Sequence, residues 1–308
     1  MKTALIFGEY NGQQKQEFEK LDPDLKIIYG TDPEWPEHLD QVNAIVGFIP
    51  QQYRTKLKDL SNLELYQLPS AGYEGWSELV RCPLANARGT YGLTISEYLI
   101  GTILMVYRRY PEVLDNQKKH VWKDPGKIES IYGKTILVLG TGNLGSTFAK
   151  KAQALGAYTI GFNRHPGEID GFNEVVNIKD FRNRIGEADI LINTLPASPE
   201  TEYFMTLDDF KAMKRSAMFV NVGRGSFVSL DTLEQALKEK LISSMILDVF
   251  EKEPLPADNP LWDEERVLIT PHIAGGYDLP ETRDLFMKIA LANLKAMLSD
   301  KKYTNIVN

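Results

Sequence analysis

The stretch "TILVLGTGNLGSTFAKKAQALGAYTIGFNR", residues 135–164, decides the fold. An apolar run meets Gly140, then Gly142 and Gly145 complete a G-x-G-x-x-G spacing, and a helical pattern opens at once through Asn143 and Leu144. A second apolar run, "AYTIGF", follows as the next strand. Strand, glycine turn, helix and strand in that order describe a βαβ unit, whose two strands must be parallel. Each glycine has its own task. Gly140 permits a tight turn, Gly142 lets backbone approach a pyrophosphate, and Gly145 lets helix and strand pack closely, with the positive end of the helix dipole facing the phosphates. A merely flexible turn is the alternative; strand, helix and next strand in register favour a dinucleotide site.

Working outward, the same alternation fills the chain. Before the glycine loop come "TALIFG", "KIIYG", "NAIVGF" and "LELYQLPSAG", separated by polar helix-like stretches. After it come "ADILINTLP", "SAMFVNVG", "SSMILDVF" and "RVLITP". Short apolar runs bounded by turn residues read as buried parallel strands with crossover helices. "TISEYLIGTILMVYRRYPEVL" keeps helical spacing for about five turns and is expected to stop near Pro111, as a long helix able to bridge two domains. "PETRDLFMKIALANLKAMLSD" reads as a closing helix.

At 308 residues the chain has room for two domains. Its 43% hydrophobic and 25% charged residues describe an ordinary globular protein. A net charge of −7 argues against nucleic acid or an anionic membrane as partner. One cysteine, Cys82, fits a reducing compartment, and no apolar run has the length of a signal core or a membrane span. A cytoplasmic location is expected.

Three later stretches deliver a polar residue at or just past an apolar strand end, where open α/β sheets bind their ligands. "FVNVGRGSFV" delivers Arg224, "ILDVFEKEPLP" delivers Glu253, and "VLITPHIAGG" delivers His272. Alone, each has a plain reading as a surface charge or loop side chain. Beside a nucleotide site they make one machine. An arginine holds the carboxylate of an α-keto acid in a planar fork, a histidine supplies a proton near neutral pH, and a glutamate orients the imidazole and favours its charged form. No clustered metal-ligand spacing is visible.

The series "VLGTGNLG", "NTLPASPET", "FVNVGRG", "LDVFEKEPLP", "PLW" and "TPHIAGG", in this order, resembles the D-isomer-specific 2-hydroxyacid dehydrogenases, a family with glyoxylate/hydroxypyruvate reductases among its members. The resemblance runs over nearly the whole chain. It implies a Rossmann nucleotide domain at 98–272, inserted in a flavodoxin-like substrate domain made of 1–97 and 273–308, both doubly wound α/β sheets. It implies Arg224 as substrate clamp, His272 as acid/base and Glu253 as its partner. Asp248 is assigned to the nicotinamide carboxamide, and Ser70, Ala71 and Gly72 to a backbone cradle for the substrate carboxylate. Pro196 and Val222, inside two of these motifs, join the cofactor-binding residues, and a homodimer through the nucleotide domain is implied.

The chain departs from the family after the second nucleotide strand. Several members carry an acidic residue there, which grips an unphosphorylated ribose. This chain has Asn163, Arg164 and His165, so NADP is expected in preference to NAD, with Arg164 pairing with the 2′-phosphate. "SAGYEGW" replaces the commoner aspartate and aliphatic residue with Tyr73, Glu74 and Trp76 and leaves the side-chain preference open; reduction of a small 2-keto acid such as glyoxylate or hydroxypyruvate to the D-2-hydroxy acid is expected first, with a bulkier apolar keto acid second. The alternative from another class is a nucleotide-sensing, corepressor-like protein of the same fold. An intact acid/base pair weighs against it.

Overall fold

The computed structural model describes residues 1–276, 279–299 and 301–308. Tyr277, Asp278 and Asp300, in the stretch assigned to the substrate domain and its closing helix, lie outside the described residues. The chain forms two compact units, one made of Met1–Thr90 and Tyr277–Asn308, the other of Tyr91–Gly276.

In chain order the first unit contributes β1 (Lys2–Ile6), α1 (Gly12–Glu19), β2 (Leu25–Tyr29), β3 (Ala44–Val46), β4 (Leu65–Gln67) and β5 (Leu84–Ala85). The second holds α2 (Gly92–Tyr107), α3 (Tyr110–Lys118), β6 (Thr135–Leu139), α4 (Asn143–Ala154), β7 (Tyr158–Asn163), β8 (Glu174–Asn177), α5 (Phe181–Arg184), β9 (Ile190–Asn193), α6 (Leu207–Ala212), β10 (Met218–Asn221), α7 (Leu230–Lys238), β11 (Ser244–Leu247) and β12 (Val267–Ile269). α8 (Pro280–Leu298) returns to the first unit.

The first unit is a parallel sheet in the order β2-β1-β3-β4-β5. Leu5, Ile45, Tyr66 and Leu84 point to one face, where Trp35, Leu39 and Leu57 from two 3-10 segments cover them. Those segments stand where the sequence suggests crossover α-helices; Pro36 lies in the first turn of one and Pro50 caps the other. α8 buries Phe286, Met287, Ala290 and Leu294, and its buried Asn293 donates to Gln67 of β4 at 2.7 Å. The C-terminal tail bridges β5 through Ala85 and Ile306 in antiparallel fashion.

The second unit is a seven-stranded sheet in the order β12-β11-β10-β9-β6-β7-β8, its neighbouring strands all paired parallel. Strand side chains alternate between faces. Leu137, Leu139, Leu191 and Phe219 enter the core under α6 and α7, while Ile136, Val138, Ile190, Ile192 and Val220 enter the core shared with Ile95, Leu99 and Ile103 of α2 and Phe148 of α4. With both faces covered, continuous apolar runs result, as the sequence shows. The strand order reverses between β6 and β9, so the loop after β6 stands at the switch point where such sheets take ligands.

Two expectations need correction. The helix over 94–114 is two helices: α2 ends at Tyr107, Arg109 adopts a left-handed φ of 56°, and α3 starts with Pro111 in its first turn, where a missing N–H costs nothing. A boundary after residue 97 falls inside α2, which packs along α4 as one rod and belongs whole to the second unit; the chain crosses between units at 90/91 and 276/277 instead of 97/98 and 272/273.

Candidate active site

Because all strands of the second unit are parallel, the loops after β6, β7, β9, β10, β11 and β12 leave the same edge of one sheet. The glycine loop follows β6. Gly140 holds φ +97°, which a side chain rarely adopts, and a Cβ on Gly145 would strike the Gly140 carbonyl oxygen. Gly142 caps α4 without a side-chain bond and faces open space. The first amides of α4, Asn143 and Leu144 among them, thus meet a position where an anion can approach without obstruction. These residues fit a dinucleotide pyrophosphate.

At the end of β7, Asn163 donates through Nδ2 to the Thr141 hydroxyl of the glycine loop at 2.8 Å. Arg164 and His165 are exposed. The Glu200 carboxyl is held below its usual range first by the Ser198 hydroxyl, with the charge of Arg164 among the lesser causes. Pro196 is exposed after β9, its carbonyl taken by the Thr201 hydroxyl at 2.8 Å. Val222 is buried after β10.

His272 sits after β12 with φ +56°, a left-handed conformation that a non-glycine residue keeps only when its surroundings impose it. Its backbone N–H donates to the Asp248 carbonyl at 2.9 Å. His272 Nδ1 lies 2.8 Å from Glu253 Oε2, and Glu253 Oε1 accepts from the Phe250 N–H at 3.0 Å. A carboxylate only accepts, so the proton belongs on Nδ1 and Nε2 is the nitrogen left to exchange one. The imidazole is half-exposed, at 54% of its side-chain surface, open enough to meet a ligand.

Arg224 stands on the neighbouring loop, half-buried, with Nη1 donating to the Gly223 carbonyl at 2.8 Å. Gly225 beside it packs so closely on Phe250 that any Cβ would strike that carbonyl group. Phe250 is therefore the hinge of the cluster: its carbonyl abuts the Arg224 loop while its N–H fixes Glu253. The structure thus pairs Glu253 with His272 and lays the Arg224 loop against the loop that carries Glu253. Ser70, Ala71 and Gly72 follow β4 in the first unit. There Ser70 Oγ donates to the Gly72 carbonyl at 2.6 Å and Asn86 to the Ala71 carbonyl at 2.6 Å, while the Ala71 and Gly72 amides find no acceptor among the described residues.

Asp248 is more occupied than its expected role suggests. It is 2% exposed, and its oxygens accept from the Thr270 hydroxyl at 2.6 Å and from the Ile273 and Ala274 amides at 2.8 and 2.9 Å. Tyr98 extends this chain by donating to Thr270 Oγ1 at 2.6 Å, since the threonine proton already faces the carboxylate. Burial pushes the Tyr98 hydroxyl up to about 12, so it keeps that proton at neutral pH. Sequence reasoning missed Tyr98 and Thr270, and also a buried amide pair, Asn193 at the end of β9 and Asn221 at the end of β10. The available signal was a polar residue closing an apolar strand in both "ILIN" and "MFVN".

Residues 100–274 match the model of the D-isomer specific 2-hydroxyacid dehydrogenase NAD-binding domain. The chain belongs to the D-isomer specific 2-hydroxyacid dehydrogenase family. Among curated relatives of this dehydrogenase, glyoxylate/hydroxypyruvate reductase B of Pectobacterium atrosepticum is 35% identical over 225 residues, 70% of this chain and 68% of its own length. D-3-phosphoglycerate dehydrogenase of Methanocaldococcus jannaschii is 31% identical over 228 residues, 73% of this chain but 43% of the relative, which is a longer protein. A solved D-isomer specific 2-hydroxyacid dehydrogenase family protein from Aeromonas salmonicida superposes with a TM-score of 0.89 at 27% identity, covering 100% of this chain and 99% of that one. No helix among the described residues is long and apolar enough to cross a membrane.

Proposed function

We propose that this dehydrogenase reduces a small 2-keto acid, of the glyoxylate or hydroxypyruvate kind, to the D-2-hydroxy acid, with NADPH preferred over NADH, in the cytoplasm. The observation that carries the reading is the His272–Glu253 contact at 2.8 Å, with the far oxygen of Glu253 pinned by a backbone amide. Such a pair holds one tautomer and steadies the imidazolium, as a proton donor to a developing alkoxide requires. When bound, the reduced nicotinamide supplies hydride to the keto carbon. His272 gives its Nε2 proton to the keto oxygen, and Arg224 holds the carboxylate in its planar fork. The Ala71 and Gly72 amides offer the first unit's own anion-binding element. Asp248, which takes three bonds from the loop it ties, keeps His272 in its left-handed conformation through its own carbonyl, and its part toward the carboxamide rests on the acceptor capacity left on Oδ2.

The preference for NADPH rests on Asn163 and Arg164, neither of which repels a 2′-phosphate. A homodimer through the second unit is supported by Val121, Trp122, Ile128 and Tyr132, large apolar side chains exposed in one stretch; sedimentation gives the mass.

The deciding measurement is the loss of NADPH absorbance on adding a panel of 2-keto acids to purified protein. Turnover with glyoxylate or hydroxypyruvate is expected. NADPH binding without turnover of any keto acid would replace this reading with a nucleotide sensor of the same fold.

A further inference from the structure

Asn193 and Asn221 occupy paired positions in the register of β9 and β10, each as the last residue of its strand and each completely buried. Apolar side chains fill the equivalent interior of both strands, and a buried amide left unbonded is costly. These two are bonded in a directed way. Asn193 Nδ2 donates to Asn221 Oδ1 at 2.9 Å, and the same Oδ1 accepts from the Gly223 amide at 3.2 Å. Asn221 Nδ2 donates to the Arg224 carbonyl at 3.1 Å, and Asn193 Oδ1 accepts from the Leu195 amide at 3.0 Å. The side-chain bonds of the pair end on each other or on the two loops that follow the strands. One of those loops carries Arg224 and the other leads into Pro196.

We infer that Asn221, steadied by Asn193, is a positioning residue for Arg224: it clamps the backbone on both sides of the arginine and so sets where the guanidinium presents its fork. The inference rests on Arg224 being the carboxylate clamp of the preceding subsection. Two features favour positioning over mere strand closure. The bonds bracket Arg224 from Gly223 to its own carbonyl, and Arg224 Nη1 returns to the Gly223 carbonyl at 2.8 Å, so backbone and guanidinium orientation are coupled. A bidentate contact is sensitive to such orientation because both N–H bonds must align at once.

The test is a double-mutant cycle between Asn221→Ala and Arg224→Lys, read on kcat/KM for glyoxylate and, independently of turnover, on the dissociation constant of oxamate from the NADPH complex. Oxamate carries the same carboxylate but is not reduced. Asn221→Ala is expected to weaken oxamate about tenfold and to raise KM, leaving NADPH affinity unchanged, because an unmade bond of this kind is worth roughly that factor. In the Arg224→Lys background the same change is expected to cost little, since the fork it aims is already gone. Asn193→Ala, one bond further away, gives a smaller effect of the same kind and replaces Asn221→Ala should that variant not fold. Equal costs in both backgrounds, or loss of NADPH affinity alongside oxamate, overturn the inference. Wild-type protein that binds oxamate without turning over any keto acid overturns the reductase reading alone, and protein that binds no oxamate overturns the clamp itself.

Discussion

The loop after β7 and the loops after β10, β11 and β12 leave one edge of one sheet, yet they hold their polar side chains in opposite ways. After β11 and β12 the groups are tied down. Asp248 accepts three protein bonds, Glu253 is fixed at both oxygens, and His272 is held in a left-handed conformation by the Asp248 carbonyl. After β7, Arg164 and His165 stand exposed. Groups that move protons must be placed within a fraction of an ångström, and that placement comes from bonds inside the protein. Groups that recognise a charged phosphate can wait in solvent and close on it, because a charge-assisted contact tolerates a looser approach.

Breaking the tied side gives the largest expected effect. His272→Ala removes the proton donor and is expected to lower turnover by roughly two to four orders of magnitude with NADPH affinity nearly intact. Steady-state kinetics beside a cofactor titration check it, and a variant that keeps most of its turnover would show that the well-held imidazole is only structural. Breaking the open side is expected to cost less and to discriminate between cofactors. Arg164→Ala should raise KM for NADPH by about ten- to a hundredfold, the worth of one charge-assisted contact, and barely change KM for NADH. Adding Asn163→Asp should reverse the preference, and the structure tolerates the exchange because the Thr141 hydroxyl, which accepts from Asn163, can turn its own proton toward the new carboxylate. Wild-type protein that uses NADH at least as well as NADPH refutes this.

The same division marks what was legible in the sequence. Glycine loop, strand ends and the Arg224, Glu253 and His272 stretches could be read because each depends on local pattern: an apolar run, a turn residue, then a polar one. β8 escaped because it is an edge strand of four half-buried residues and never forms an apolar run, and β5 because two residues make no period. The helix break at Arg109 escaped because a proline signals a helix start as readily as a stop. Asn193 and Asn221, and Tyr98 with Thr270, escaped for a different reason. Their meaning lies in partners 28 and 172 residues away, and only strand pairing or helix packing brings those partners within bonding distance.

A gentler change sharpens the contrast within the tied side. Glu253→Gln keeps the shape of the contact to His272 but removes the negative charge that favours imidazolium. A glutamine oxygen can still hold the tautomer but no longer balances the charge of a proton-donating ring, so turnover is expected to fall by roughly tenfold, with the melting temperature unchanged. Turnover equal to wild type would mean that Glu253 orients the ring without acting through its charge.

The smallest expected effect separates acid sensitivity of the scaffold from that of the site. Glu264, just before β12, accepts from Arg266 Nε at 2.8 Å and Nη2 at 2.6 Å, and this bidentate bond holds its carboxyl below the usual range. Arg266 also donates to the Leu237 carbonyl, tying the start of β12 to the end of α7. A carboxyl lowered in the folded state stabilises the fold above its unfolded value of about 4.3, and that contribution disappears as pH falls through the lower folded value. Glu264→Gln is therefore expected to lower stability at neutral pH by less than about 1 kcal/mol, because solvent screens the pair. Such a loss lowers the melting temperature by about 2–4 °C at most in a unit of this size. The gap between variant and wild type should close as the pH drops below about 4, while the pH–rate profile of turnover at the other end of β12 stays in place. A gap that persists unchanged in acid would show that the side chain is retained for packing and not for its charge. A profile that moves with Glu264→Gln would show that β12 transmits the disturbance along its length, and the separation of scaffold from site would fail there.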